Sequence, residues 1–560
     1  MSLRVLLAVV VYVLYLSPVT LTRAGDKTEG TPDPSYVAAV YEHRVILNPE
    51  PHVPLSRDAA LKHMMRNLKV YEEQAARAAE QVSRLSISGY LETIPDPLTE
   101  DWNPCTQPDR HNHTEVLQSL SCMARRHQLY LVANMPDLQP CPLTSHPHLD
   151  PSHPPCPPDG RWQFNTNVVF RSDGSLAARY HKQNLFFEKE FNTPPRLEVV
   201  TFDTPFAGRF GVFTCFDILF HDPTVRLLEQ EGIRQMVYPT AWINTLPLLT
   251  AVQFQRAVSL GANVTLLAAN LRHDSKAMTG SGIFTPSTSI YHHAFHPPGE
   301  PEDGKLLVLR IPVLDSDWLA TQKQAKGQGE TGGEGEAKGQ IGEEGEAKGQ
   351  IGEEGEAKGQ GETGEEGEAK GQGETGGEGE AKGQGQGETG AEGEGEPLSA
   401  SLPTLSPNPS PSTSHLISSM MCDPFSFVLL RGSEGQLTVC DGPLCCHLQY
   451  RRSPQGGNTE LYALGAFAGN HTVCALVRCS GSEVSSCGKG VEEAESRVDF
   501  RLEGKFGTRY VYPSMLGSGM VVDRPDLIEK TTDGRVAMEH SGMTVGLVTA
   551  CLYGRVYDQD

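Results

Sequence analysis

The sequence predicts an α/β layered domain, a flexible acidic linker, and a smaller, mostly β domain stapled by disulfides. Three observations predict this order. Between about residues 35 and 315, short apolar runs alternate with stretches of helical periodicity. Between 321 and 414 almost nothing is available to bury. From 415 to 560, short runs rich in Gly, Val, Thr and Tyr carry eight of the 13 cysteines.

The N-terminus reads as an export leader. Arg4 supplies a positive start and Leu6 to Leu16 an apolar run too short to cross a bilayer comfortably. Thr22-Arg23-Ala24 resembles a small-x-small cleavage site, so residues 1–24 are expected to be a signal peptide. The final residues, Leu552 to Asp560, lack the hydrophobic tail of a lipid-anchor signal. A secreted, extracellular protein without a membrane anchor is expected, as a monomer.

Within the first domain, Leu61, Met64, Leu68, Tyr71, Ala75 and Ala78 share one helix face. Leu129–Asn134, Asn167–Phe170 and Gly211–Cys215 read as buried strands. Asp222-Pro223 opens a helix through Leu228. Met236–Tyr238 is the next strand, Gln253–Leu260 a helix, and Thr265–Ala269 a strand again.

The linker repeats Glu-Ala-Lys-Gly-Gln from Glu336, Glu346, Glu356, Glu368 and Glu380. Frequent Gly and few apolar residues make ordering costly, so the repeat is not a solenoid. Residues 321–396 hold 20 Glu against 7 Lys, −13 of the net −23, which leaves only −10 for the rest. No basic stripe appears, which argues against nucleic acid as a partner. The odd cysteine count leaves at least one thiol unpaired. Adjacent Cys445 and Cys446 are expected in two separate bridges, since no ligand spacing supports zinc. Asn112, Asn263 and Asn470 begin N-x-S/T sequons and are candidate glycosylation sites. His146, His148 and His153 lie between Cys141 and Cys156, which reads as a disulfide-closed loop, and no metal or cofactor is expected.

Two residues carry the chemistry. Cys215 ends a strand and precedes a helix, where free N–H groups can bind an oxyanion. Lys182, followed by apolar residues, can lower a neighbouring thiol's pKa and stabilise an oxyanion. The segments Arg179–Phe186 and Gly211–Phe220 around them resemble the lysine and cysteine motifs of the nitrilase superfamily of carbon–nitrogen hydrolases. Ala38–His43, Pro239–Trp242, Met278–Gly282, Leu444–Leu448 and Tyr462–Gly465 are similar to its vanin–biotinidase branch. The resemblance covers nearly all of the chain outside leader and linker. It implies an α-β-β-α sandwich at 35–315 and a vanin-type β domain at 415–560. It also implies hydrolysis of an amide through a thioester on Cys215, with Lys182 stabilising the oxyanion. Phe202–Gly211 and Thr114–Gln118 resemble the biotin-amide hydrolases, which release biotin from biocytin and biotinyl peptides, more than the pantetheine hydrolases.

One part of the pattern is missing. The family's triad adds a Glu base at the end of the strand after the first helix. Here the chain passes from that helix directly to Ser83–Ile87, without an apolar strand or a Pro-Glu. Glu80, on the helix, and Glu92, in a Pro-rich loop, are poorly placed to replace it. Glu188 is the substitute catalytic carboxylate, and Asp217 a structural one. The chain therefore reads as an amide hydrolase that has lost a segment, or as a secreted relative that only binds such ligands. A second shortening is expected near Asn470–Cys474.

Overall fold

The computed structural model describes residues 10–14, 34–44, 56–75, 90–141, 156–294, 304–315, 415–417, 423–453 and 460–559. The linker, Glu80, His146, His148, His153 and Cys422 lie outside them, as does the stretch 76–89, whose sequence lacks the expected apolar strand.

In chain order the first domain runs β1 (Val10–Leu14), β2 (Ser35–Arg44), α1 (Arg57–Ala75), α2 (Glu115–His127), β3 (Leu129–Pro140), β4 (Arg161–Phe170), β5 (Leu176–His181), β6 (Val200–Thr204), β7 (Gly208–Val212), α3 (Arg226–Glu229), β8 (Gln235–Thr240), α4 (Ala251–Ala262), β9 (Thr265–Arg272), β10 (Ser281–Phe284), β11 (Ser289–His292) and β12 (Lys305–Pro312). The strands form two layers, β5-β4-β3-β1-β2-β12 and β6-β7-β8-β9-β10-β11. They join where His43 and Arg44 of β2 pair in parallel with Leu271 and Arg272 of β9.

The period-two geometry of a strand sets the layering. Along β2, Tyr36, Ala38 and Val40 pack with Phe202, Phe210 and Met236 of the second sheet. Ala39 and Tyr41 point the other way, into a cluster with Met64 and Leu68 of α1 and Leu117 and Leu120 of α2. On the far side α4 packs against β9 and β10. The result is the α-β-β-α sandwich. Asp222 has extended backbone (φ −103°, ψ 125°), so the regular helix expected there is confined to α3.

One strand differs from expectation. The N-terminal apolar run, read as a leader, supplies β1, antiparallel to both neighbours. It lies between β2 and β3, the position beside β2 that a strand following α1 would take. Val37–Val40 of β2 and Leu129–Ala133 of β3 are buried and take their ladder partners from it. Each buried polar group left unpaired would cost about 1–3 kcal/mol.

The second domain is a sandwich of two antiparallel sheets. One contains β13 (His415–Ile417), β14 (Pro424–Leu429), β17 (Tyr462–Ala468), β18 (His471–Arg478), β20 (Val511–Gly517), β21 (Val521–Asp523) and β24 (Leu547–Arg555). The other contains β15 (Glu434–Asp441), β16 (Leu444–Ser453), β19 (Arg497–Lys505), β22 (Leu527–Lys530) and β23 (Arg535–His540). Successive residues of β16 face opposite ways, which resolves the adjacent cysteines. Cys445 closes the β15–β16 hairpin to Cys440, and Cys446 crosses to Cys474 on the facing sheet. β18 is an eight-residue strand paired on both edges.

The domains meet along α4 and β20. Phe254 makes edge contacts with Tyr512 and Tyr553, at centroid distances of 6.1 and 5.6 Å. The Lys530 ammonium donates to the Gly261 carbonyl at 3.0 Å. A Cβ on Gly261 would lie 2.7 Å from Tyr512 Cδ1 and 2.9 Å from the Val511 oxygen. Gly261→Ala should therefore destabilise the protein by about 1–3 kcal/mol through overpacking. Gly507→Ala, with nothing within 4 Å of the added carbon, should not. Thermal unfolding of the two variants checks this, and equal melting points would show that the seam is not tight.

Candidate active site

The site forms where the segments that follow β5 and β7 meet. After β7 the chain stays extended through Thr214 (φ −133°, ψ 126°) and then turns sharply at Cys215, whose φ is +49°. A non-glycine residue in this region is strained, and such strain persists where the surroundings over-determine the backbone. Asp217 does so here. It accepts from the Thr214 amide at 3.0 Å, the Tyr180 hydroxyl at 2.7 Å, the Asn184 amide at 2.8 Å and Asn184 Nδ2 at 3.0 Å. These bonds lock the cysteine turn to the segment after β5. The Tyr238 hydroxyl donates to the Cys215 carbonyl at 2.8 Å from the other side. Burial pushes the Asp217 carboxyl up to about 6, against the lowering effect of Lys182 and the four donors.

Lys182 is 1% exposed. Its ammonium donates to Glu188 Oε2 at 2.6 Å. Burial pulls its pKa down, but the charges of Glu188, Cys215 and Asp217 outweigh this and hold it above the usual lysine value. Glu188 also accepts from Asn165 Nδ2 at 2.9 Å and the Phe186 amide at 3.2 Å. The Lys182 amide itself donates to the Asn165 carbonyl at 2.8 Å. Just before it, His181 bridges Asp137 and Glu198 at 2.8 Å each, and these carboxylates raise its pKa despite the opposing effect of burial. The end of β5 is thus fixed by charge on both sides.

Cys215 is a half-buried free thiol at the mouth of an apolar recess lined by Phe186, Phe216, Ala241, Trp242 and Ile243. The wall is held from behind. Asn270 accepts from the Trp242 amide at 2.8 Å and donates to the Thr279 carbonyl at 2.8 Å. Buried Glu42 accepts from the Thr279 hydroxyl, the Gly280 amide at 2.8 Å and the Ser281 hydroxyl at 2.9 Å. Gly280 (φ +108°) cannot carry a side chain, because a Cβ would lie 2.8 Å from that of Ala251.

The structure brings together Cys215, Lys182, Glu188 and Asp217. It does not bring Glu92 to them. Glu92 instead accepts from the amides of Val116 and Leu117 at 2.9 and 3.0 Å, at the N-terminus of α2, where burial pushes its carboxyl up to about 8. Glu80 lies outside the described residues. Asn112, Asn263 and Asn470 are each exposed. Among the described residues no group of His, Cys, Asp or Glu could hold a metal ion. The other free thiol among them, Cys551, is buried in the second domain. The sequence reading gave no role to Asn134, Asn165 and Asn167. Asn134 Nδ2 donates to Asn165 at 2.6 Å and Asn167 at 2.9 Å, and Asn167 donates to the Phe213 carbonyl at 3.2 Å. Amides inside otherwise apolar strands were the available signal, since a buried amide must find partners.

Residues 61–272 match the carbon–nitrogen hydrolase family and residues 414–560 the vanin C-terminal domain. Biotinidase of Takifugu rubripes is 52% identical over 94% of this chain and 95% of that protein. Human biotinidase is 39% identical over 94% of this chain and 90% of its own length. Human pantetheinase is 36% identical over the same two shares, 94% and 90%. The chain thus belongs to the biotinidase–vanin branch of the nitrilase superfamily, and is an amide hydrolase by family.

Proposed function

We propose that the chain is an extracellular hydrolase that releases biotin from biocytin and biotinyl peptides through a thioester on Cys215. The observation that carries this is a thiol on a strained turn, facing a buried lysine–glutamate pair, at the mouth of an apolar recess. The higher identity to biotinidases than to pantetheinases favours a biotinyl over a pantetheinyl substrate. Five disulfides among the described residues and the three exposed sequons, proposed here as glycosylated, support export. No helix among the described residues is long and apolar enough to cross a membrane.

The Cys215 sulfur attacks the amide carbonyl carbon, and its proton passes to Glu188. Lys182 stabilises the oxyanion. The C–N bond breaks, and the amine leaves with the proton from Glu188. Water then attacks the thioester, its proton passes through Glu188 to the departing sulfur, and the free acid is released. Glu188 is a loaded base, because three donors already occupy a carboxylate with about four lone-pair sites. That same observation favours a second reading, a relative that binds the ligand without turnover.

Three outcomes are expected. Cys215→Ser should abolish biotin release from biocytin, Lys182→Met should reduce it by at least ~100-fold, and Glu188→Gln should do the same. Faster cleavage of pantetheine than of biocytin would reassign the substrate. Because the activation of water draws on a crowded base, the acyl-enzyme should accumulate. Intact-mass analysis after mixing with substrate should show the Cys215 thioester, whereas a chain that binds biocytin but never acylates is the binding protein. Asp217 must be ionised to hold all its donors, so Cys215 alkylation by iodoacetamide should fall as pH drops through about 6. In Asp217→Asn that limb should vanish. The stability term has the opposite sign: this carboxyl is raised on folding, so its contribution declines as pH rises from about 4 to about 6.

A further inference from the structure

Phe187 is unusual on two counts. Its φ is +54°, in the left-handed region, and its side chain is 67% exposed. Among the described residues the other phenylalanines are buried or half-buried. The turn it makes is short. Its carbonyl accepts from the Lys189 amide at 3.1 Å, and the Glu188 carbonyl accepts from the Phe191 amide at 3.1 Å. A glycine would make this turn without strain and without leaving an apolar ring in water. For a bulky residue a positive φ is an outlier, so the turn alone does not account for a phenylalanine. Strained positions of this kind collect at ligand clamps.

Both sequence neighbours of Phe187 belong to the site. Phe186 lines the recess and donates its amide to Glu188, which pairs with Lys182. The Phe187 ring meets that of Phe186 at a centroid distance of 5.0 Å, and Phe186 meets Phe216, the residue after Cys215, at 4.9 Å. An aromatic surface thus runs from the recess out to solvent. The recess itself is shallow. Its volume of about 20 Å³ is room for about one water-sized group. A carbonyl under attack fits there. A pentanoyl chain ending in a fused bicycle does not, and has to lie outside, across the mouth.

Resting on the biotin-amide reading above, we infer that Phe187 is a specificity-determining residue, whose exposed ring covers the methylene chain and fused bicycle of the biotinyl group when its carbonyl reaches Cys215. The acyl group suits a fixed apolar ring, because it is the part that biocytin and biotinyl peptides share. Covering it takes apolar surface of ligand and ring out of water together, a gain that the free protein lacks.

Protection of Cys215 from iodoacetamide by biotin tests this without turnover. Alkylation is followed with and without biotin, and the concentration giving half-protection is compared between variants, so that a change in the thiol itself cancels. Phe187→Gly, which relieves the turn, and Phe187→Ala, which keeps its strain, should each raise that concentration at least ~10-fold, whereas Phe187→Tyr, which keeps a ring, should not. Biocytin binding to Cys215→Ser, measured by calorimetry, should weaken in step when Phe187→Gly is added. Because glycine suits a positive φ, Phe187→Gly should melt no lower than the wild-type protein, so a weakened site cannot be put down to unfolding. Equal half-protection of the wild-type and Phe187→Gly proteins would overturn the inference. So would a loss confined to biocytin, which would put the ring over the leaving amine instead of the acyl group. Failure of both biotin and biocytin to bind the protein with Phe187 in place is a different result, which would overturn the biotin-amide reading and this role of Phe187 with it.

Discussion

A lysine ammonium almost wholly removed from water is the constraint on which the site depends. An isolated buried cation is far too costly to keep, so it either loses its proton or acquires counter-charge. Here Glu188 supplies the direct partner and Asp217 the field, and Lys182 remains charged. Each carboxylate then needs its own donors, and those come from every element around the turn: Asn165 from β4, Tyr180 from β5, Asn184 and Phe186 from the segment after it, and Thr214 from the strand before Cys215. Removing either carboxylate therefore disturbs more than one ion pair. It frees the backbone on both sides of the nucleophile.

That network is only as well placed as the sheets that carry it. β5 reaches the rest of its sheet through β4 and β3, and β3 reaches β2 only across β1. Lys182 follows β5, whereas Glu42, which holds the wall of the recess, lies near the end of β2. The strand between β2 and β3 thus joins the part of the sheet bearing the lysine to the part supporting the recess. A sheet interrupted there would lose the fixed distance between Lys182 and the wall of the recess.

Much of this was legible in the sequence. Residues that must be apolar on both faces announced β3, β8 and β9, and the cysteine and lysine motifs named Cys215 and Lys182, which the structure brings together. β5 and β12 were not read as strands. Leu176–His181 carries two alanines and an arginine, and Lys305–Pro312 mixes exposed and buried positions at the sheet edge, so neither shows a clean apolar run or alternation. β1 was read for its hydrophobicity, which a leader and a strand inside a sheet share, so composition alone cannot separate them. The asparagine ladder at Asn134, Asn165 and Asn167 depends on strand pairing that no local pattern encodes. Disulfide partners such as Cys446 and Cys474 likewise required the two sheets to be stacked.

Under the reaction proposed above, the charges at the site set what the absence of the family's Pro-Glu base would change. Lys182, Glu188 and ionised Asp217 sum to one negative charge beside the thiol, and a thiolate adds a second. A further carboxylate, if ionised, would oppose the thiolate by simple repulsion. Its absence would therefore remove a repulsion beside the sulfur. In that proposed reaction the deficit would fall on proton transfer, above all in the second half, where water is a weaker acid than a thiol and requires a free base close to it. Glu188 can take that role only by loosening its hold on Lys182, Asn165 or the Phe186 amide. The same carboxylate is thus asked both to keep the cation charged and to accept the proton, and these demands conflict most at the moment the thioester is hydrolysed.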